Sequence, residues 1–249
     1  MKKVVWALYD DGNCSYKKAI EKYFDGQYLV YCVGINKAPF EDTENYKYRQ
    51  IDLSVLNIKL IKQLSKLPQP DIILASPPCE SWSIADCSGI MFRSIDDKGN
   101  WIVKNKNFYD AYNKKCSPVK RRYFYQKEQS RILGEATIGA TIKIIKHFNP
   151  KMWIIENPQS SKTWTYQKYH WNFLGNENLA YYSSYDNNFS KKPTIFKSNF
   201  KLNLKTTKTQ SNKDHMKTGS YLKRSSIPSL LIKDIFDQLE ALWKSENTK

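Results

Sequence analysis

Short apolar runs alternate along this chain with longer segments whose apolar positions recur every three or four residues. Residues 4–9, 28–35, 46–51, 71–75 and 152–155 read as buried strands. Between them, residues 15–24, 54–67 and 131–148 carry helical spacing. Ser15 stands as a cap for the first helix, whose stripe is Ala19, Ile20 and Tyr23. Leu56, Ile58, Ile61 and Leu64 form the stripe of the second, which Pro68 stops. Ile132, Leu133, Ala136, Ile138, Ile142 and Ile145 form that of the third. Residues 178–183 and 194–196 add two strands around a loop, and an amphipathic helix over 228–243 closes the pattern. Strands alternating with helices predict an α/β fold with a mostly parallel sheet and helices on both faces.

At 249 residues the chain has the size of one sizeable α/β core, and residues 1–249 are read as a single domain. Two stretches do not fit the sheet. Residues 88–126 interleave aromatics (Phe92, Trp101, Phe108, Tyr109, Tyr123 and Tyr125 among them) with cations that include Arg121 and Arg122. Residues 191–224 hold ten Lys or Arg and one acid, Asp214. Basic segments interleaved with aromatics suit phosphate contact and base stacking, although a solvated loop has the same composition.

The formal net charge of +16 points the same way, towards a polyanionic partner, with nucleic acid first. Codon bias contributes, since only six of the forty basic residues are arginine. The five cysteines (14, 32, 79, 87 and 116) lack C-x-x-C spacing, and none of the three histidines is spaced with a second ligand. No structural metal is expected. No apolar run reaches the roughly 20 residues that span a membrane, and the chain enters its first strand without a signal-peptide pattern. A reduced, cytoplasmic protein is the expectation.

The candidate chemistry sits at two strand ends. The run 71–75 leads into Ser76-Pro77-Pro78-Cys79, where two prolines fix φ and remove two backbone donors. A thiol held at the mouth of an α/β crevice suits a fixed nucleophile; a core cysteine after a turn is the bland alternative. The run 152–155 ends in Glu156-Asn157-Pro158, which places a carboxyl group at another strand end.

Pro78-Cys79-Glu80-Ser81-Trp82-Ser83 and Glu156-Asn157-Pro158 together resemble the two signature motifs of the DNA cytosine-5 methyltransferase family, Pro-Cys-Gln-x-Phe-Ser and Glu-Asn-Val. The departures are Glu for Gln, Trp for Phe and Pro for Val. The resemblance implies a Rossmann-like, S-adenosylmethionine-dependent methyltransferase fold acting on double-stranded DNA. It makes Cys79 the nucleophile that adds to C6 of a flipped cytosine and Glu156 the group that protonates or holds N3. Ser81, Ser83 and Asn157 fall in the same two motifs, on the substrate side. Ser190-Lys191-Lys192-Pro193-Thr194 takes the place of the family's Gln-x-Arg-x-Arg, so Lys192 supplies one cation while Thr194 stands where the second arginine would be. Arg121 and Arg122 are expected on the DNA side of the insertion.

The resemblance places the cofactor against Tyr9, Asp10, Gly12 and Asn13, where Tyr9-Asp10-Asp11-Gly12-Asn13-Cys14 keeps one glycine of Phe-x-Gly-x-Gly. Asn36 replaces the acid expected after the second strand, and Asp52 matches the acid after the third. Pro78 and Ser226, the latter from a segment (224–228) like the family's Gly-Asn-Ser-Val-Pro, complete that pocket. Two other readings fit the same residues: a catalytically silent DNA-binding homologue, and a cytosine-5 methyltransferase of RNA. The interval 199–221 is too short for the family's target-recognition domain. Site preference then comes from the 88–126 insertion, from a partner chain or second copy in a homodimer, or is relaxed. The insertion is the expected source.

Overall fold

The computed structural model describes residues 2–10, 12–83, 93–95, 100–207, 210–212, 214 and 224–247. Much of the 81–99 loop and of the second basic stretch lies outside these. In chain order the principal elements are β1 (Lys3–Leu8), α1 (Ser15–Phe24), β2 (Tyr28–Gly34), β3 (Tyr46–Gln50), α2 (Leu60–Leu64) and β4 (Ile72–Ala75). The insertion carries β5 (Arg93–Ile95), β6 (Trp101–Val103) and α3 (Lys106–Lys114). Then follow α4 (Phe124–Phe148), β7 (Met152–Pro158), α5 (Thr163–Tyr169), β8 (Asn176–Tyr181), β9 (Pro193–Ser198) and α6 (Ser229–Asn247).

Seven strands form one sheet in the order β3-β2-β1-β4-β7-β9-β8, and only β9 runs against the rest. β5 and β6 pair separately as an antiparallel hairpin. The central strands are near-continuous apolar runs because both faces are covered. Alternate residues part cleanly between those faces. Val5, Ala7, Ile72, Leu74 and Ile154 pack with Tyr16, Ile20 and Phe24 of α1 and Leu231 and Phe236 of α6. Trp6, Leu8, Ile73, Ala75 and Ile155 pack with Leu64 of α2 and Ile138, Ile142 and Ile145 of α4. The expected Rossmann-like α/β arrangement, mostly parallel with helices on both faces, is the observed one.

Two expected elements differ. The helix over 54–67 contracts to Leu60–Leu64, because Leu56 and Ile58 are 61% and 94% exposed and provide no anchor. Asn57 instead organises turns there, its amide donating to Asp52 O at 2.9 Å and to Gln63 Oε1 at 2.8 Å. The helix expected over 131–148 begins earlier, at Phe124, and ends on Asn149 in the left-handed conformation.

The chain crosses from β3, at one edge, to β4 beside β1, so the sheet's direction of winding reverses between β1 and β4. A crevice forms outside the carboxyl ends of strands at such a point. The register aligns Leu8 with Ala75 and Ala75 with Ile155. The residues that follow, 9–14, 76–79 and 156–157, therefore meet at one end of the sheet. No helix among the described residues is long and apolar enough to cross a membrane.

Candidate active site

Cys79 is half-buried at the start of a 3-10 turn, Glu80–Trp82, that follows the Pro-Pro bend. Burial pushes its thiol up to about 11, and the charges of Glu156 and then Glu80 push the same way, while Lys192 opposes them. Glu156 continues β7 past its last pair with β4, stays paired with Phe196 of β9, and is buried. Burial holds its carboxyl above the usual range; the Lys192 charge and hydrogen bonds from Tyr182 and Ser76 pull it back. Burial thus raises both groups, and the Glu156 carboxylate further disfavours the Cys79 thiolate.

A hydrogen-bonded chain fixes the carboxylate. Tyr182 Oη donates to Glu156 Oε1 at 3.1 Å, and the Ser76 hydroxyl meets Tyr16 Oη at 2.9 Å while also bonding Glu156. Lys192, at φ 31°, places its ammonium 4.7 Å above the ring of Tyr182 and donates to Arg224 O at 3.1 Å. Asn157 Nδ2 donates to Pro77 O at 2.9 Å, which ties the two motif-bearing strand ends together. Its Oδ1 is buried without a partner among the described residues.

The turn after Cys79 is seated by a glycine. A Cβ on Gly134 of α4 would stand 1.9 Å from Ser81 Oγ, 3.1 Å from Ser81 Cβ and 3.0 Å from Trp82 Nε1. A hydrogen at that position lets the helix and the turn approach this closely without moving the Ser81 and Trp82 side chains. Ser81 is accordingly buried against α4, while Ser83 lies half-buried with its hydroxyl on Glu80 O at 3.3 Å. The Trp82 ring packs 4.9 Å from Tyr166 and 6.2 Å from Trp101 of β6, and its carbonyl accepts from Lys162 N at 2.9 Å.

The residues expected at the cofactor divide into two sets. Tyr9 takes φ 63°, and its hydroxyl lies among Leu53 O, Thr137 O and Thr141 Oγ1 at 2.8, 2.9 and 3.0 Å. Asp10 accepts from the backbone of Tyr16 at 3.3 Å and of Lys17 at 3.1 Å. Its carboxyl therefore fills the α1 N-terminus, and burial pushes it up to about 7 against those two bonds. Both side chains thus have internal partners.

Gly12 is exposed, and Asn13 Nδ2 reaches Ser225 Oγ at 3.0 Å. Ile227 N donates to Ser15 Oγ at 3.2 Å, so the segment holding half-buried Ser226 docks on the first loop. Asn36 and Asp52 are exposed just past the paired strand ends Gly34 and Gln50, and Pro78 is exposed beside Cys79. A separate 280 Å³ cleft, lined by Tyr31, Arg49, Gln50, Ile51, Gln63, Lys66 and Leu67, contains none of these residues. Arg121 and Arg122 lie on the insertion. Among the described residues no group of His, Cys, Asp and Glu is arranged to hold a metal ion.

Tyr16, Ser76, Tyr182 and Gly134 escaped the sequence reading. The tyrosines look like ordinary core aromatics in a chain with seventeen of them, and Gly134 carries no turn signal inside a helix.

No family model and no curated protein matches the chain. Solved structures do. A methyltransferase of Entamoeba histolytica is 13% identical over 84% of this chain and 57% of that one, with a TM-score of 0.43. A putative ribosomal RNA methyltransferase from Plasmodium falciparum is 11% identical over 80% and 86%, at 0.39. A short chain dehydrogenase from Leptospira borgpetersenii with bound NAD+ is 14% identical over 59%, at 0.28, and this chain spans 47% of its length. Likenesses this distant carry no argument about activity. The sheet itself, with β9 inserted antiparallel between β7 and β8, has a Rossmann-like α/β arrangement.

Proposed function

We propose that the chain transfers a methyl group from S-adenosylmethionine to C5 of cytosine in double-stranded DNA. One observation carries this reading: Cys79 and Glu156 follow the paired ends of adjacent strands, close enough for the Glu156 charge to raise the Cys79 thiol, with Lys192 acting on both.

The polar groups at the crevice fit the cofactor. Gly12 offers backbone without a side chain, Asn36 and Asp52 offer hydrogen-bonding groups past β2 and β3, Asn13 and Ser226 belong to segments that dock on each other, and Pro78 adjoins Cys79 in sequence. Bound there, S-adenosylmethionine supplies an electrophilic methyl group.

Cytosine C5 is a poor nucleophile until the ring's aromaticity is broken. The base leaves the stack at a cost of a few kcal/mol. The Cys79 thiolate adds to C6, forming the C–S bond and driving electrons towards N3 and O2. Protonated Glu156 donates to N3, and Lys192 lies beside the developing charge. The resulting enamine would take at C5 the methyl group that bound S-adenosylmethionine supplies, the methyl–sulfur bond breaking to leave a neutral thioether. A base then removes the C5 proton, the C6–S bond breaks and Cys79 leaves as thiolate. A Glu156 that carries its proton no longer opposes the thiolate, so one arrangement serves both residues.

A silent DNA-binding homologue is favoured by one feature: Asp10 fills the α1 N-terminus, where the resemblance expects a glycine-rich cofactor loop. Cofactor affinity separates the two, since a silent homologue has no need of S-adenosylmethionine. The direct test is expression in a methylation-free host with genome-wide mapping of 5-methylcytosine beside Cys79→Ala. Methylation in a defined context, absent in the variant, supports the reading. An unmethylated genome in cells holding soluble protein opposes it, and 5-methylcytosine confined to RNA moves the substrate to RNA.

A further inference from the structure

We infer that the turn at residues 115–123 is a preformed contact for the phosphate backbone of duplex DNA, outside the pocket of the flipped base; the choice of DNA rests on the function proposed above. Within residues 111–126 stand Lys114, Lys115, Lys120, Arg121 and Arg122 and no acid. None of the five forms an ion pair among the described residues. The turn is built rather than loose. Asn113 clamps Arg122 from both sides, its Oδ1 accepting from Arg122 N and its Nδ2 donating to Arg122 O, each at 2.8 Å. A short 3-10 segment, Pro118–Lys120, closes on bonds from Lys120 N to Ser117 O and from Arg121 N to Pro118 O. Tyr109, 1% exposed, roots α3 beneath it, 5.8 Å from Phe124.

On this support the tip presents apolar groups to solvent: Val119 is 92%, Tyr123 60% and Tyr125 76% exposed. Fixed cations around an exposed apolar tip complement a groove edged by phosphates, and a preordered turn loses little entropy on binding. The placement also fits. From Phe124 to Gly134, which seats the Cys79 turn, α4 rises about 15 Å. That equals roughly four to five base-pair steps of 3.4 Å, so a duplex running along α4 with its target base at Cys79 would reach the turn.

The test is duplex binding by wild type and by Lys120→Ala/Arg121→Ala across a salt series, without cofactor and therefore apart from turnover. Lys120 and Arg121 are exposed while Asn113 is half-buried, and melting temperature and S-adenosylmethionine affinity serve as checks on folding. The slope of log K against log[salt] should fall by about two in the double variant, one for each lost phosphate contact. Asn113→Ala, which keeps every cation, should weaken binding without that loss of slope. An unchanged slope in the double variant overturns the assignment even where the protein methylates DNA. A reduced slope in a protein that methylates nothing keeps the contact and removes the catalytic reading. Duplex RNA of the same sequence competing as well as DNA overturns the choice of DNA.

Discussion

Tyr182 donates its hydroxyl proton to Oε1 of Glu156 at 3.1 Å, and the same ring carries the Lys192 ammonium 4.7 Å from its centroid. One fully buried side chain thus sets the acid and the cation relative to each other. Its hydroxyl favours the Glu156 anion, so removing it raises that carboxyl further. In Tyr182→Phe the alkaline limb of the kcat/KM profile, where Glu156 gives up its proton, should move to higher pH. The maximal rate should drop on the order of tenfold, as expected for a looser catalytic geometry. A rate loss with an unmoved limb would mean that Tyr182 only packs.

The Cys79 thiol is the second reporter. With its pKa near 11, alkylation by iodoacetamide should be slow at pH 7 and climb through pH 9–11. Glu156→Gln removes the neighbouring carboxylate and should shift that climb to lower pH. Lys192→Ala removes the opposing cation and should shift it higher. Mass spectrometry of the modified peptide checks both, and shifts in the reverse order would refute the electrostatic coupling.

Gly134 links the helix to the nucleophile turn. Alanine in a helix interior normally gains up to about 1 kcal/mol over glycine. Here rotation of Ser81 relieves the shortest clash, yet Ser81 Cβ and Trp82 Nε1 still crowd the new methyl at 3.1 and 3.0 Å. Gly134→Ala should therefore destabilise by roughly 1–3 kcal/mol, and alter Cys79 alkylation. A melting temperature above wild type would show that the turn yields.

Lys197 is buried at 2% exposure and donates to Phe173 O at 2.5 Å and to Gln167 Oε1 at 3.3 Å. Burial pulls its ammonium down to about 8. The unfolded chain, with an ordinary lysine near 10.4, binds more protons between those two values, so this group adds stability as pH rises from about 8 to 10.4. Wild type should gain on Lys197→Met over that window in denaturant titrations. A pH-independent gap would contradict the buried cation.

The fold was legible because its central strands are uniform apolar runs and its longer helices carry core-facing stripes. Helix α1 falls on the expected residues 15–24. The stripe over 54–67 misled because Leu56 and Ile58 have the spacing of a core face without a core to meet. The first turns of α4 carry no apolar stripe because residues 126–130 are polar and the buried face of the helix begins only at Gly134. At the site, Cys79 and Glu156 were readable because a strand end, prolines and a reactive group adjoin in sequence. Tyr16, Ser76, Tyr182 and Gly134 join them only through the crossing of α1, β4, α4 and the segment after β8, and no local pattern encodes such a meeting. The capping role of Asp10 was hidden for the same reason: a loop acid reads alike whether it grips a ligand or a helix end.

The central claim is a covalent bond between Cys79 and cytosine C6. Fluorine at C5 blocks the final proton removal, so a duplex with 5-fluorocytosine at its cytosines should leave the adduct standing. Incubated with S-adenosylmethionine, wild-type protein should form a denaturation-resistant complex whose mass includes the DNA and one methyl group, mapped to Cys79 and absent in Cys79→Ala. Folded protein that binds both DNA and S-adenosylmethionine yet forms no such complex, or forms it through another residue, would contradict the account.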